Sequence, residues 1–213
     1  MTHLVMIRHA ESASLAERWI SGEASCGGIT ERGKEQAKAL HHRLLGNDQL
    51  LPDQVISSSM HRATETATII TEGISCRFEI TDDFVERRPG ECEGMSYQEY
   101  EAKYGCPPWS DWRNPLSPGG ESDEEFVARV RSALRNVVDA HEGRTIWVIC
   151  HGGVLMATAH FLMRTSSEDA HWTNPEPTSI SEWHRQGRVE TAEGWTLDRY
   201  NDFAHLQGPL GLM

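Results

Sequence analysis

The sequence has no apolar stretch approaching the roughly 18 residues that a helix needs to cross a bilayer. Its N-terminus lacks the basic segment and long apolar run of a secretory signal peptide. The five cysteines form no Cys-x-x-Cys pair, and an odd number of such thiols is typical of a reducing compartment. We therefore expect a cytoplasmic protein that has no membrane partner.

Positive charge is also scarce. The 213 residues include 20 Lys and Arg against 32 Asp and Glu, which gives a net charge of −12. Because a basic surface supplies most of the affinity for nucleic acids, this balance argues against a nucleic-acid partner. A site for an anionic ligand in such a chain must be a local pocket built by a few well-placed arginines.

Apolar runs alternate with amphipathic segments along the chain. Strands are expected at 4–7, 54–57, 77–80 and 145–150, and near the end of the chain around Trp183 and Trp195. Helices are expected from Thr30 to about Leu45, at 61–72, after Ser-x-x-Glu capping boxes at Ser96 and Ser122, and at 154–163. This alternation predicts the α/β class, as a three-layer α/β/α sandwich with a mainly parallel central sheet. The length fits one domain over residues 1–213.

A segment at about 95–121 departs from this alternation. Between Tyr104 and Pro118 it is rich in proline, tryptophan and polar residues and has little periodicity. We interpret it as an insert or lid. Trp109, Trp112 and Arg113 could cover a substrate, but such residues more often anchor a loop, which is the interpretation we favour.

Two of the expected strands end abruptly at a histidine. Arg8-His9 follows the apolar run at 4–7, and His151 follows the run at 145–150. The carboxyl ends of parallel strands are where open α/β sheets bind ligands. Two imidazoles with nearby arginines would form an anion pocket, and one ring nitrogen could attack the anion. We predict that Arg8, His9 and His151 converge there.

Six motifs occur in the order found in the histidine phosphatase superfamily, which includes the phosphoglycerate mutases, and the chain resembles that family from residue 4 to about 162. The motifs are Arg8-His9-Ala10-Glu11-Ser12, Ile29-Thr30-Glu31-Arg32-Gly33, Ser57-Ser58-Ser59-Met60-His61-Arg62-Ala63, Glu86 with Gly90, Glu93 and Gly94, Pro118-Gly119-Gly120-Glu121-Ser122, and His151-Gly152-Gly153. The resemblance implies a phosphoglycerate mutase-like fold.

The resemblance also implies roles that suit phosphoryl transfer. His9 would be the nucleophile and form a phosphohistidine, and Glu86 would be the general acid. The phosphate would be bound by Arg8, Arg62, His151 and Ser12. These cations and donors would replace a metal ion, so no metal and no other cofactor is expected.

Two positions depart from the family pattern. Leu15 lies where the family often has an asparagine that contacts phosphate, so phosphate binding must depend on the other donors. Ala10 replaces the usual glycine after the nucleophile, which requires a backbone with negative φ at that position.

The expected function is hydrolysis of a small phosphorylated metabolite by a phosphomonoesterase. Mutases of this family carry a lysine shortly after the Glu-Gly pair and an arginine pair in the insert, whereas this chain has Tyr97 and only Arg113. A mutase and a non-catalytic phospho-ligand-binding protein remain the alternatives. A metal hydrolase is a further class, but His41 and His42 are adjacent on a helix and would diverge. The oligomeric state stays open.

Overall fold

The computed structural model describes residues 1–46, 50–111, 113–165, 173–185 and 194–207. Within them, six strands form one sheet in the order β3-β2-β4-β1-β5-β6. The strands are β1 (Thr2–Arg8), β2 (Gln54–Ser58), β3 (Arg77–Thr81), β4 (Thr145–Cys150), β5 (Ile180–Arg185) and β6 (Trp195–Asp202). The pairs β1–β4, β2–β4 and β2–β3 are parallel, while β5 runs antiparallel to both of its neighbours. The predicted mainly parallel sheet is confirmed.

Three of the six described helices begin where a capping residue predicts. They are α1 (Ala13–Glu17), α2 (Glu31–Leu45), α3 (His61–Ile70), α4 (Tyr97–Tyr104), α5 (Asp123–Ala140) and α6 (Gly152–Met163). Thr30 caps α2, and both predicted capping boxes are formed, at Ser96 and Ser122. Helix α3 ends two residues earlier than expected, and α6 begins two residues earlier. None of the described helices combines the length and apolar character needed to cross a membrane.

Side chains alternate between two cores on opposite faces of the sheet. Leu4 and Met6 of β1 pack with α5 and α6, whereas Val5 and Ile7 pack with α2 and α3. Because successive residues of a strand point to opposite faces, a run of apolar residues is buried on both sides. Strand β4 lies near the middle of the sheet, and five of its six residues are buried. The three-layer α/β/α sandwich is therefore confirmed.

The segment at 95–121 packs through a small core of its own. Ile20, Cys92, Tyr100 and Leu116 form a third buried cluster. The Tyr100 hydroxyl donates a hydrogen bond to the Leu116 carbonyl at 2.9 Å, which joins α4 to the end of the insert. Trp112 lies outside the described residues. Since Tyr97 and Trp109 line the same cavity as Arg8 and His9, the insert lies beside the carboxyl end of β1, where the predicted site lies.

Candidate active site

The carboxyl ends of β1 and β4 bring the two histidines together. Arg8 is paired with Cys150 in the parallel ladder, and the His9 amide donates to the Cys150 carbonyl at 2.9 Å. The next residue on each strand therefore lies at the same edge of the sheet. The rings of His9 and His151 are tilted with their centroids 5.1 Å apart. The expected meeting of the two imidazoles is confirmed.

Arg62 joins the two rings from the first turn of α3. Its Nε lies 3.1 Å from His9 Nε2 and 3.3 Å from His151 Nδ1. Its Nη1 donates to Ser21 Oγ at 3.2 Å and contacts Cys26 Sγ at 3.4 Å. The side chain is only 4% exposed. The guanidinium is thus held in place on several sides, and the predicted convergence of this arginine with both histidines is confirmed.

His9 is held in the tautomer that a nucleophile needs. Its Nδ1 lies 2.6 Å from the Ala10 carbonyl, to which it donates, and this assigns the lone pair to Nε2. Burial, and then the charges of Arg62 and Arg8, lower the pKa of His9 well below its usual value. The imidazole is therefore neutral at physiological pH, with Nε2 directed toward Arg62.

His151 is likewise buried and neutral. Its Nε2 lies 2.8 Å from Ser58 Oγ, at the end of β2, and its Nδ1 receives the Arg62 Nε–H. Burial lowers the pKa of His151 well below its usual value, and the Arg62 charge adds to this effect. Three strand ends, those of β1, β2 and β4, thus fix the pair of imidazoles.

The side chain of Arg8 contacts Asn174 and Pro175, which the sequence analysis did not identify as site residues. Its Nη1 donates to the Pro175 carbonyl and lies 3.5 Å from Asn174 Oδ1. Burial lowers the pKa of Arg8, while the charges of Glu86 and Glu176 oppose that shift. Asn174 lines the same cavity as Arg8. An amide is therefore present beside Arg8, although Leu15 replaces the asparagine that the family often has.

The Arg8-His9 backbone is supported from behind by Thr178. The Thr178 amide lies 3.1 Å from the Arg8 carbonyl and 3.3 Å from the His9 carbonyl. Thr178 has φ of +59°, which is rare and strained for a β-branched residue. Its hydroxyl is 2.9 Å from His205 Nε2, which helps to hold this conformation. No sequence motif pointed to this threonine.

Glu86 is oriented by two backbone amides. Its Oε1 accepts from the Arg87 amide at 2.9 Å, and its Oε2 accepts from the Gly153 amide, in the first turn of α6, at 3.0 Å. A Cβ on Gly153 would lie 2.4 Å from Glu86 Oε1, so only glycine allows this approach. A Cβ on Gly152 would meet nothing closer than Arg8 Nε at 3.7 Å, an ordinary contact. Of the two glycines of the His151 motif, Gly153 is therefore needed for the close approach of Glu86, whereas the space at Gly152 would admit a Cβ.

Ser12 lies at the cavity but is already engaged. Its hydroxyl caps α1 by accepting from the Leu15 amide at 3.2 Å, and it also contacts Ser14 Oγ at 3.0 Å. The backbone of Ala10 has a negative φ, as expected where alanine replaces glycine. The Ala10 amide donates to Thr66 Oγ1 at 3.0 Å, which fixes the turn after His9.

Most of these groups line one cavity of about 480 Å³. Its inner end contains Arg8, His9 and Arg62, and the fully buried His151 lies behind them against Arg62. Its outer end is lined by Leu15, Trp19, Tyr97, Trp109, Asp123, Phe126 and Met156. Trp109 lines the cavity and is 43% exposed, so it is placed where it could contact a substrate, and the interpretation that it anchors the loop stays a prediction. The sequence also gave no signal for Asp123.

Arg87, which directly follows Glu86 in the chain, is hydrogen-bonded to the insert. Its Nε donates to the Glu121 carbonyl at 2.9 Å, and its Nη2 donates to the Asn114 carbonyl at 2.8 Å. The side chain is buried. This arginine therefore links the position of the insert to the wall of the cavity.

The described residues include no group of three His, Cys, Asp or Glu side chains placed to hold a metal ion. His41 and His42 lie on α2 with ring centroids 5.6 Å apart, and His41 Nδ1 is 3.1 Å from the Ile70 carbonyl. Helix packing accounts for the position of this pair.

Comparison with known proteins agrees with the site geometry. The family model of the histidine phosphatase superfamily (branch 1) matches residues 4–202. The chain belongs to the histidine phosphatase superfamily. Phosphoglycerate mutase-like protein 4 of Arabidopsis thaliana is 29% identical over 96% of this chain and 86% of its own length. A metal-independent phosphoserine phosphatase of the same plant is 29% identical over 97% of this chain and 84% of its own.

Solved structures support the same fold. YhfR of Bacillus stearothermophilus superimposes with a TM-score of 0.82 at 23% sequence identity, covering 97% of this chain and 100% of that chain. The phosphoglycerate mutase-like architecture expected for this superfamily member is therefore confirmed.

Proposed function

We propose that this histidine phosphatase superfamily member is a phosphomonoesterase that hydrolyses a small phosphorylated metabolite through a phosphohistidine at His9. One observation carries the proposal. Arg62 Nε lies 3.1 Å from His9 Nε2 and 3.3 Å from His151 Nδ1 at the inner end of a cavity. A neutral imidazole beside a fixed guanidinium has both a lone pair for attack and a positive charge for the phosphoryl oxygens.

In the first step, His9 Nε2 attacks phosphorus and the bond from phosphorus to the leaving oxygen breaks. The electron pair of that bond goes to the leaving oxygen, which takes a proton from Glu86 and departs as an alcohol. The Nδ1–H of His9 keeps its bond to the Ala10 carbonyl, which stabilises the positive charge that develops on the ring.

In the second step, Glu86 takes a proton from a water molecule, and the water oxygen attacks phosphorus. The bond from phosphorus to Nε2 breaks, and its electron pair returns to His9. Inorganic phosphate leaves, and Glu86 again carries the proton. The backbone amides of Arg87 and Gly153 hold the carboxyl in one orientation for both transfers.

The resemblance implies Arg8, Arg62, His151 and Ser12 as the groups that bind the phosphoryl oxygens. Arg8 and Arg62 would be the main donors, because His151 Nδ1 accepts from Arg62 and would need a proton before it could donate. Ser12 would be a weaker donor, because its hydroxyl also contacts Ser14 Oγ. We add Asn174 to this set. Its amide is next to Arg8 in the cavity and could donate to phosphate in place of the asparagine that is missing at Leu15.

Hydrolysis is favoured over mutase chemistry by the charges at the outer end. A mutase must bind a second anionic group while its phosphohistidine waits for the substrate to reorient. Besides Arg8 and Arg62, the cation among the described lining residues is Arg87, and it is engaged with the carbonyls of Glu121 and Asn114. One relative is named a phosphoserine phosphatase, which supports hydrolysis. Another is named phosphoglycerate mutase-like, so the test must assay both hydrolysis and mutase activity.

The test is a panel of phosphorylated metabolites assayed for released orthophosphate, with a parallel assay for interconversion of 2- and 3-phosphoglycerate. We expect phosphate release that His9→Ala abolishes, while the circular dichroism spectrum of the variant is that of the wild type. Interconversion without release would instead support a mutase. Binding of substrates without turnover would support the non-catalytic alternative. A cytoplasmic location stays a prediction.

A further inference from the structure

The outer half of the cavity is built for something other than phosphate. Six apolar or aromatic side chains line it: Leu15, Trp19, Tyr97, Trp109, Phe126 and Met156. A cavity of about 480 Å³ is much larger than a phosphoryl group requires, so this half would hold the alcohol part of the substrate. The faces of aromatic rings carry negative electrostatic potential and attract organic cations.

Asp123 adds a negative charge to the same wall. It is the first residue of α5, and among the described lining residues it is the only carboxylate besides Glu86. No described residue gives its side chain a hydrogen bond or an ion pair at contact distance. Burial raises the pKa of Asp123, and the charges of Arg87 and His160 oppose this only in part. A half-buried carboxylate without such a partner favours a ligand that supplies one.

The described lining residues include few cations that could bind a carboxylate on the alcohol part of the substrate. The cations among its described lining residues are Arg8, Arg62 and Arg87. The first two lie at the inner end, where the phosphate would use their charge. Arg87 donates to two backbone carbonyls of the insert and faces Asp123. A carboxylate on the substrate's alcohol would therefore meet Asp123 and aromatic faces, which is unfavourable.

We propose that the substrate is a phosphomonoester whose alcohol carries an ammonium group on an apolar skeleton, and that Asp123 selects it. This inference rests on the proposed function, because it names the leaving group of the same reaction. The aromatic rings would contact the skeleton and the cation, and the Asp123 carboxylate would pair with the ammonium group.

Three benzyl phosphates test this selection. They carry an aminomethyl, a methyl or a carboxyl group in the para position, so they differ in charge while the bond to phosphorus is the same. For each enzyme, kcat/KM is divided by its own value for the methyl compound, which cancels differences in the active fraction. We expect the wild type to prefer the aminomethyl compound by about tenfold and to disfavour the carboxyl compound by about tenfold.

The variant Asp123→Asn should bring the ratio for the carboxyl compound close to one and should reduce the preference for the aminomethyl compound to the smaller part that the aromatic faces supply. Glu124→Gln is the matched control, because Glu124 is the exposed neighbour on the same helical turn and does not line the cavity. That variant removes the same charge and should keep the wild-type ratios. Loss of the ratios in both variants would show a general charge effect and overturn the proposal.

The outcomes also separate this inference from the proposed function. If the wild type hydrolyses all three compounds without preferring the aminomethyl one, or if Asp123→Asn keeps the wild-type preference, the inference about Asp123 is wrong while hydrolysis stands. If the wild type releases phosphate from none of the three, nor from p-nitrophenyl phosphate, the proposed function fails.

Discussion

The two ends of the cavity are built in different ways. At the inner end, His9, His151 and Arg62 lie directly at strand ends or in the first turn of a helix, and each is fixed by hydrogen bonds. At the outer end, Trp109 belongs to the insert and Asp123 to the start of α5. The rigid inner end suits a reaction common to many substrates, whereas the outer end suits the choice among them.

The largest expected effect is at Glu86, which lines the cavity and is the proposed proton donor. We expect Glu86→Gln to lower kcat about 10²- to 10⁴-fold on alkyl phosphates, because a poor leaving group needs the proton. The rate of the first step with p-nitrophenyl phosphate should fall much less, because nitrophenolate leaves without needing a proton. Pre-steady-state bursts of the two substrates measure this. Equal losses would show that Glu86 is not the proton donor.

A second test uses the glycines that begin α6. Gly153→Ala would place a methyl group against the Glu86 carboxyl, so we expect kcat to fall by about 10- to 100-fold. Gly152→Ala is the matched control, because its Cβ has room, and it should keep most of the activity. Alanine favours helix more than glycine, so neither variant should lose its fold. Similar activity in the two variants would contradict the role assigned to the Gly153 contact.

At the outer end, Trp109→Ala should have a smaller effect that depends on the substrate. Losing about 1 kcal/mol of apolar contact corresponds to about fivefold in KM for 4-methylbenzyl phosphate. Methyl phosphate, which does not reach the tryptophan, should be hydrolysed at the wild-type rate. Steady-state kinetics of the two substrates, with Trp109→Phe for comparison, would check this. An equal effect on both substrates would contradict the division between the two ends.

The smallest effect concerns pH. The pKa of His9 is lowered in the folded protein, so its imidazole should stay neutral from pH 8 to pH 6. In the unfolded chain a histidine takes up a proton below about pH 6.5, so the unfolding free energy should fall as the pH drops below that value. The NMR shifts of the His9 ring, assigned with His9→Ala, should be nearly constant over this range. A midpoint near pH 6.5 would contradict the neutral nucleophile.

Much of the inner end was predictable because it follows the strands. Apolar runs fixed the positions of β1 and β4, and residues just beyond two parallel neighbours must lie together, as His9 and His151 do. Motif order located Arg62 and Glu86. The α/β/α layers followed from the same periodicity and from the capping residues.

The outer end was not predictable, because most of its residues do not follow the strands. Trp109 and Asn174 reach the cavity from loops, where neither periodicity nor sequence distance fixes spatial position. The start of α5 was predicted, but the capping box does not indicate that Asp123 at that start faces the cavity. Thr178 is a further example, because its support of the Arg8-His9 backbone depends on a positive φ that a threonine in the sequence does not indicate.

Trapping the phosphorylated protein tests the central claim most directly. Glu86→Gln would be mixed with p-nitrophenyl phosphate, quenched in alkali, where phosphohistidine survives, and digested for mass spectrometry. We predict a phosphoryl group on the peptide that contains His9, formed as fast as nitrophenolate appears and absent in the Glu86→Gln, His9→Ala double variant. Phosphate on His151, or turnover with no phosphoryl group on His9, would contradict the account.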